Sequence, residues 1–278
     1  MPSRGVEGHW GPDRLGRREN QVRRSLVGLL AVILGLSLIG ASCGSDDDSS
    51  TKAAFIYLGP PGDAGWTWAQ DQGRKAAAEA TGAETAYVES VPEGTADFGN
   101  YVRDFIDQGF NLIVGGSFGY MDDMEALAAE YPDVVFDHIS GYKANGSNFG
   151  NSFGRMYEPR YLSGMVAGSA TSSNLIGYVA AFPIPEVIRG INAFTLGVRE
   201  TNPDAEVEVV WTSTWFDPVV EGDSAQAILD KGADVIAMHQ DSTAAGEKAE
   251  AAGARWVAYN SDMSAHAPRS EEHTSELQ

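Results

Sequence analysis

The regular alternation of short apolar runs with helical segments is the feature that most constrains the fold of this 278-residue chain. Residues 53–58 read AAFIYL and predict a strand, and a loop rich in glycine and proline separates them from a helix predicted over 66–81. Further strands are predicted at 85–88, 112–114, 134–138, 175–180, 207–211, 235–238 and 256–259, with helices at 96–108, 122–131, 158–170, 186–200, 223–231 and 242–252. Strands that alternate with helices predict βαβ units and an α/β fold with parallel sheets.

The body of the chain is long enough for two small domains. We expect an N-terminal α/β lobe at 53–153 and a C-terminal α/β lobe at 154–268. The halves share some sequence: FIDQGFNLI at 105–113 matches ILDKGADVI at 228–236, and AEATGA at 78–83 matches AEAAGA at 249–254. Two lobes of one doubly wound design would produce such matches. Any pair of helices that end at a glycine before a strand would also produce them, so both explanations stay open.

An uncharged segment near the N-terminus predicts export. Residues 25–39 read SLVGLLAVILGLSLI and follow four arginines, Arg17, Arg18, Arg23 and Arg24. A basic region before a short apolar run is typical of a signal peptide, and this run is too short to span a bilayer comfortably. Small residues precede the only cysteine, Cys43. The segment resembles a bacterial lipoprotein signal, so we expect residues 1–42 to be removed and Cys43 to be lipidated.

The residues that flank the body are expected to lie outside the folded lobes. A lone cysteine is often a buried hydrophobe, but the neighbours of Cys43 offer nothing that could bury it. Residues 43–52 are rich in Asp and Ser and predict a flexible tether. A calcium site at 46–48 would need alternating ligands and a glycine, which this run lacks. Residues 269–278, RSEEHTSELQ, resemble the translation of a sequencing adapter, and we expect them to be an artefact.

Composition and spacing exclude several classes of function. The net charge of −20 and a pI near 4.5 argue against nucleic acid or an anionic membrane surface as a partner. A hydrophobic content of 43% argues against disorder. Neither a paired-histidine metal spacing nor a phosphate-binding loop is present in the sequence, so we expect no cofactor and no metal.

The loops after the predicted strands are rich in aromatic and acidic residues. Doubly wound sheets bind ligands beyond the carboxyl ends of their strands, so these loops are the expected site. Aromatic side chains would stack on a flat ring, with about 1 kcal/mol per pair beyond burial. Carboxylates would accept hydrogen bonds from ligand hydroxyl or N–H groups. The alternative for each tryptophan is a place in the core at a sheet end. The candidate ligand-binding residues are Asp63, Trp66, Trp68, Ser117, Phe118, Asp137, Trp215, Phe216, Gln240 and Asp262.

An enzyme is the alternative class of function. Gly115-x-Ser117-x-Gly119 follows a predicted strand and precedes a predicted helix, as the nucleophile of an α/β hydrolase does. The same spacing recurs at 150–154 in a chain with 32 glycines, and no oxyanion segment of the HGGG type precedes either copy. We therefore predict that the protein is not an enzyme.

Longer strings carry a resemblance to a known family. LGPPGDAGWTWAQDQGRKA, FGRMYEPRYLSGMVAG, WFDPVVEGDSAQAILDKGADVIAMHQDST and YNSDM follow one another in the body. In these strings the chain resembles the basic membrane lipoprotein family of ABC-transporter substrate-binding proteins. The resemblance implies two lobes of the type I periplasmic-binding-protein fold, joined by a hinge, with nucleosides as ligands.

Roles for individual residues follow from the resemblance alone. It implies that Asp63 and Trp66 contact a base, that Trp215 and Phe216 stack on it, and that Asp262 holds a ribose. The Trp66-Thr67-Trp68 segment departs from the Asp-x-Ser-Phe-Asn form of nucleoside binders.

The resemblance also implies a place of action and partners. We expect a lipid-anchored protein on the extracytoplasmic face of the cell membrane, which binds a nucleoside-like solute, closes about its hinge and docks on ABC permease subunits. A surface sensor of the same fold without transport is the alternative. Type I binding proteins cross between lobes three times, and we expect the last crossing back to the first lobe to be missing here.

Overall fold

A computed structural model describes residues 50–268 of the chain. The predicted signal peptide, Cys43, most of the tether and the segment 269–278 therefore lie outside the described residues. Within 50–268, no helix combines the length and the apolar character needed to cross a membrane.

The first sheet has five strands in the order β2-β1-β3-β4-β5. They are β1 (Lys52–Ile56), β2 (Glu84–Val88), β3 (Leu112–Gly115), β4 (Val135–Ile139) and β5 (Phe149–Ser152). Helices α1 (Trp66–Thr81), α2 (Asp97–Asp107) and α3 (Met121–Glu130) connect the first four strands. Every pairing in this sheet is parallel, and we call the sheet with its helices the first lobe.

The second sheet has four strands in the order β7-β6-β8-β9. They are β6 (Leu175–Ala180), β7 (Glu206–Trp211), β8 (Val235–His239) and β9 (Arg255–Val257). Helix α4 (Tyr157–Ala170) precedes them, and α5 (Pro185–Thr201), α6 (Pro218–Leu229) and α7 (Ala244–Ala252) connect them. Its pairings are also parallel, and we call this sheet with its helices the second lobe. The predicted α/β class with two doubly wound parallel sheets is confirmed.

Apolar clusters hold the helices on the sheets. In the first lobe, Ile56, Ile113 and Phe136 from the strands pack with residues of α2 and α3 such as Phe98 and Met124. In the second lobe each face of the sheet has its own cluster, one beneath α6 and α7 and the other beneath α4 and α5. These cores fix the strand ends from which the loops of the site emerge.

One of the two sequence matches reflects equivalent positions in the lobes. Segment 105–113 runs from the end of α2 into β3, and segment 228–236 runs from the end of α6 into β8. These strands hold the same place in the orders β2-β1-β3 and β7-β6-β8. Each segment turns on a glycine with positive φ, 86° at Gly109 and 98° at Gly232. The segments of the other match, 78–83 and 249–254, lead into β2 and β9. These two strands hold different places in their sheets. That match is only the local pattern of a helix that ends at a left-handed glycine before a strand.

The predicted start of helix 223–231 was wrong, because α6 begins five residues earlier at Pro218. The side chain of Asp217 accepts hydrogen bonds from the backbone N–H groups of Val219 and Val220, at 3.0 and 3.1 Å. Proline at the first helical position after a capping aspartate is a strong start signal. The apolar periodicity that placed the start at 223 begins only after this cap.

Helices α4 and α5 approach closely enough to require glycine at their contact. A methyl group on Gly164 would lie 2.0 Å from the carbonyl oxygen of Phe194, and one on Gly197 would lie 2.0 Å from that of Tyr161. A methyl group at either position would force the two helices apart.

We expect Gly164→Ala to lower the free energy of unfolding by about 1–3 kcal/mol, because overpacking at a closed contact displaces backbone. Gly73→Ala is the matched control, since it lies on α1 with no atom within 4 Å of the added methyl group. Alanine there should raise stability by about 0.5–1 kcal/mol through helix propensity. Urea unfolding followed by circular dichroism measures both, and equal stability of the two variants would contradict the packing argument.

Candidate ligand-binding site

A cavity lies where the carboxyl ends of the two sheets meet. Its walls come from the first lobe through Leu58, Trp66, Ser117, Phe118 and Ser140, and from the second lobe through Glu186, Trp215, His239 and Asp241. These residues lie at the carboxyl ends of strands, in the loops that follow the strands or at the starts of the next helices. The largest contributions come from the loops after β1 and β3 and after β6 and β8, which are the points where the strand order reverses in each sheet.

Aromatic rings from both lobes line this cavity. The indole N–H of Trp66 donates to the carbonyl oxygen of Gly116 at 2.7 Å, which fixes its ring against the loop after β3. On the opposite side, Trp215 packs on Phe182 with ring centroids 5.0 Å apart. Its ring centroid is 6.4 Å from that of His239. Because each indole is held from behind, the faces turned to the cavity are preorganised to contact a flat ligand.

The charged groups at the cavity are acidic. Glu186 lies 3.4 Å from Nε2 of His239, and burial lowers the pKa of that imidazole although Glu186 opposes the shift. Burial also raises the pKa of Asp241 well above its usual range, and the nearby carboxylates of Asp63, Glu221 and Glu186 add to the effect. Such a site favours ligands that donate hydrogen bonds and disfavours anions.

The structure brings together four of the ten predicted site residues, Trp66, Ser117, Phe118 and Trp215. Two wider grooves flank the cavity, with volumes of about 560 and 570 Å³. Asp137 lines the groove that shares Trp66, and its carboxylate accepts a hydrogen bond from Ser152 at 2.8 Å. Phe216 lines the groove that shares Trp215.

The other four predicted residues lie outside the cavity walls. Asp63 is buried and accepts three backbone N–H bonds at 2.9 Å, from Gly65, Thr67 and Trp68. It therefore satisfies amides at the start of α1. Trp68 is 39% exposed on that helix. Gln240 is buried and donates to Oγ1 of Thr212 at 2.6 Å. Asp262 is exposed, and its carboxylate accepts the N–H of Ser264 at 3.0 Å.

The geometry at Ser117 does not provide a nucleophile. Its hydroxyl donates to Oε1 of Glu93 at 2.5 Å. The imidazole of His138 lies 2.6 Å from the backbone carbonyl oxygen of Ser117 instead of its hydroxyl. Burial lowers the pKa of that histidine. The serine–histidine pair of an α/β hydrolase is therefore not formed at this Gly-x-Ser-x-Gly segment.

Sequence reasoning missed several residues of the site. Glu186 was predicted only as part of the helix at 186–200, and it lies in the first turn of α5, after the loop that follows β6. His239 and Asp241 were not among the predicted ligand-binding residues. Glu186 follows β6, His239 ends β8 and Asp241 follows β8, so the position of these strand ends at the switch point was the signal that could have found them.

The cavity itself is small. Its volume of about 20 Å³ gives room for one water molecule. A heteroaromatic solute would need more space, so the lobes or the side chains on the walls would have to move for one to enter.

The raised pKa of Asp241 predicts a pH dependence of stability. The unfolded chain releases this proton at an ordinary pKa, so the folded state holds it more tightly. Stability from this group is complete below the unfolded pKa and is lost as the pH rises through the folded pKa. We expect Asp241→Asn to be more stable than the wild type at pH 8, with a gain that shrinks on acidification to pH 4.

Urea unfolding at both pH values measures this gain. Asp97→Asn, a change at an exposed carboxylate on α2, is the control and should show no comparable pH-dependent gain. A gain at position 241 that is the same at both pH values would contradict the assignment of the proton to Asp241.

Comparison with known proteins identifies the family of the chain. The model of the family described as "Bmp: ABC transporter substrate-binding protein PnrA-like" matches residues 50–275. A putative ABC transporter glucose-binding protein of Haloferax volcanii is 45% identical over 223 residues, which make up 79% of this chain and 56% of that protein. A purine-binding protein of Brucella abortus is 42% identical over 242 residues, with 86% of this chain and 68% of that protein covered. The chain thus spans about half to two thirds of the length of these relatives.

A solved structure shows the same fold. The solute-binding protein of an ABC transporter system from Aeropyrum pernix has a TM-score of 0.70 and 21% identity, with 80% of this chain and 65% of that chain covered. The resemblance found in the sequence is confirmed, as is the expectation that the protein is not an enzyme. The chain belongs to the Bmp family of PnrA-like ABC transporter substrate-binding proteins.

Proposed function

We propose that this chain is the lipid-anchored, extracytoplasmic solute-binding subunit of an ABC importer. Its solute is a purine nucleoside or a related heteroaromatic compound, and the protein acts by closing its two lobes around that solute. The observation that carries the proposal is the pair of tryptophans, Trp66 and Trp215, which line one cavity from opposite lobes.

The chemistry of the walls supports a heteroaromatic ligand. A flat ring between Trp66, Phe118 and Trp215 would gain stacking and burial energy. Glu186 and Asp241 would accept hydrogen bonds from ring N–H, amino or ribose hydroxyl groups. The Brucella relative is named for binding purines, which fits these walls.

Closure of the lobes has direct support at the cavity rim. The hydroxyl of Ser261 donates to the carbonyl oxygen of Ala64 across the lobes. A methyl group on Gly65 would lie 2.3 Å from the carbonyl oxygen of Asp241, so glycine permits the loops to touch. These contacts support a closed arrangement, and a ligand that prefers this arrangement would shift the population towards it.

Anchoring and the domain boundaries belong to the same proposal. Cys43 would hold the protein at the membrane, with residues 43–52 as the tether and lobes at 53–153 and 154–268. Membrane fractionation of a Cys43→Ser protein tests the anchor, and unchanged membrane association would refute it.

A sugar is the second candidate solute, because the Haloferax relative is named as a glucose-binding protein at 45% identity. Aromatic faces with carboxylates also suit a pyranose ring. The two candidate solutes differ in size, and only the nucleoside has a flat aromatic ring that could stack on the tryptophans.

A ligand panel separates these candidates. We expect adenosine, guanosine or inosine, or their free bases, to raise the melting temperature by several degrees at millimolar concentration, since a bound ligand stabilises the folded state by mass action. Glucose and the corresponding nucleoside monophosphates should give no shift, because the sugar lacks the flat ring and the phosphate is repelled by the acidic walls. A shift with glucose alone would favour the second candidate. No shift with any nucleoside or base would refute the first.

The aromatic clamp makes its own prediction. We expect Trp66→Ala and Trp215→Ala each to weaken binding of the active purine by about tenfold to a hundredfold, because one stacking partner contributes about 1–3 kcal/mol. Trp68→Ala is the matched control, since this tryptophan is close in sequence and lies outside the cavity walls. Isothermal titration calorimetry measures the dissociation constants. Equal losses in all three variants would show that the tryptophans act on stability and not on the ligand.

A further inference from the structure

Glu93 connects the two lobes although it does not line the cavity. It lies in the loop between β2 and α2 of the first lobe. Its Oε1 accepts the hydroxyl of Ser117 at 2.5 Å and the backbone N–H of Gly119 at 2.7 Å. Its Oε2 accepts the indole N–H of Trp215 from the second lobe at 3.2 Å. Glu93 therefore uses one carboxylate oxygen for hydrogen bonds within the first lobe and the other for a hydrogen bond to the second lobe.

Contacts within the first lobe position Glu93 independently of Trp215. The neighbouring Val91 is buried, its N–H donates to the carbonyl oxygen of Tyr57 at 3.0 Å, and its carbonyl oxygen accepts the hydroxyl of Tyr120 at 2.5 Å. A methyl group on Gly119 would lie 2.4 Å from the carboxyl carbon of Glu93, so the carboxylate fits closely over that turn.

Trp215 is equally constrained. The N–H groups of Thr212 and Ser213 in its loop donate to the carbonyl oxygens of Ala180 and Ala181, at 2.8 and 3.0 Å. Phe182 supports its ring from behind. Because both partners are ordered within their own lobes, little conformational entropy is lost when the hydrogen bond forms.

We propose that Glu93 is a latch and a positioning residue: its hydrogen bond to Trp215 stabilises the closed arrangement of the lobes and sets the plane of the indole against the ligand. The proposal rests on the hinge closure proposed above and adds the contact that biases it. Trp215 has one hydrogen-bond donor, its indole N–H. The orientation of its ring therefore depends on where that donor is accepted. The latch acts without a ligand, so it can be tested without knowing the ligand.

Glu93→Gln is the informative variant, because it keeps the shape of the side chain and has one acceptor oxygen in place of two. The two donors of the first lobe, Ser117 and Gly119, would retain that oxygen. The amide NH₂ group would then face the indole N–H, donor against donor. Trp215→Phe removes the same hydrogen bond from the other side and keeps an aromatic ring.

The experiment measures the separation of the lobes by double electron–electron resonance on the full chain. Cys43→Ser removes the native thiol, and nitroxide labels are placed at Tyr101→Cys on α2 and Leu196→Cys on α5, which are 41% and 59% exposed. In the absence of ligand, we expect Glu93→Gln and Trp215→Phe each to lower the ratio of closed to open molecules by about tenfold, as for loss of a hydrogen bond to a charged group. The double variant should show no further loss, because both changes remove one interaction.

Trp68→Phe is the control and should leave the distances unchanged. The latch is refuted if Glu93→Gln keeps the wild-type distances, or if the two changes add in the double variant. Adenosine is then added to each protein. If adenosine moves no distance while Glu93→Gln still does, the nucleoside proposal fails and the latch stands. If adenosine closes the wild type and Glu93→Gln equally well from the same starting ratio, the latch fails and the nucleoside proposal stands.

Discussion

The parallel pairing of every strand within residues 50–268 is the constraint on which the site depends. In a parallel sheet all carboxyl ends lie at one edge, so the loops that leave them gather in one place. Two such sheets then bring the loops after β1 and β3 to face those after β6 and β8. The apolar clusters beneath the helices supply the rigidity, and the loops are left free to carry aromatic and acidic side chains.

The acidic walls work against the stability of the fold. Asp241 is buried near three other carboxylates, and its raised pKa means that its charge is disfavoured in the folded protein. A hydrophobic residue would pack there at lower cost. The carboxyl accepts a side-chain N–H of Asn260 at 3.4 Å, and a ligand N–H or hydroxyl that reached it would offset more of the desolvation.

The sequence predicted the architecture better than it predicted the site. The alternation of apolar runs with helical segments predicted eight of the nine strands within residues 50–268, because each of these eight is a short apolar run between turns. It missed β5 (Phe149–Ser152), since FGNS is not an apolar run. The cavity depends on which loops meet in space, and separation along the chain does not reveal this. Glu93 and Trp215, for example, are 122 residues apart and are joined by a hydrogen bond. In the sequence, Asp63 fits both a ligand-binding carboxylate and a residue that accepts the free amides at a helix start. Only the structure distinguishes these roles, because it places the amides of Gly65, Thr67 and Trp68 on the carboxylate. Two of the five predicted aromatic residues, Phe216 and Trp68, lie outside the cavity because neighbouring side chains in a loop or helix point in different directions.

The strength of the latch between Glu93 and Trp215 is itself constrained by function. A latch that held the lobes closed without solute would present the closed surface to a permease whether or not cargo was bound. A protein with no latch would need the ligand alone to supply the whole free energy of closure, which would lower its apparent affinity by the fraction of closed molecules. A single hydrogen bond at 3.2 Å between two preorganised groups lies between these extremes. Because it biases closure by a modest factor, differential binding of the solute still decides the final population.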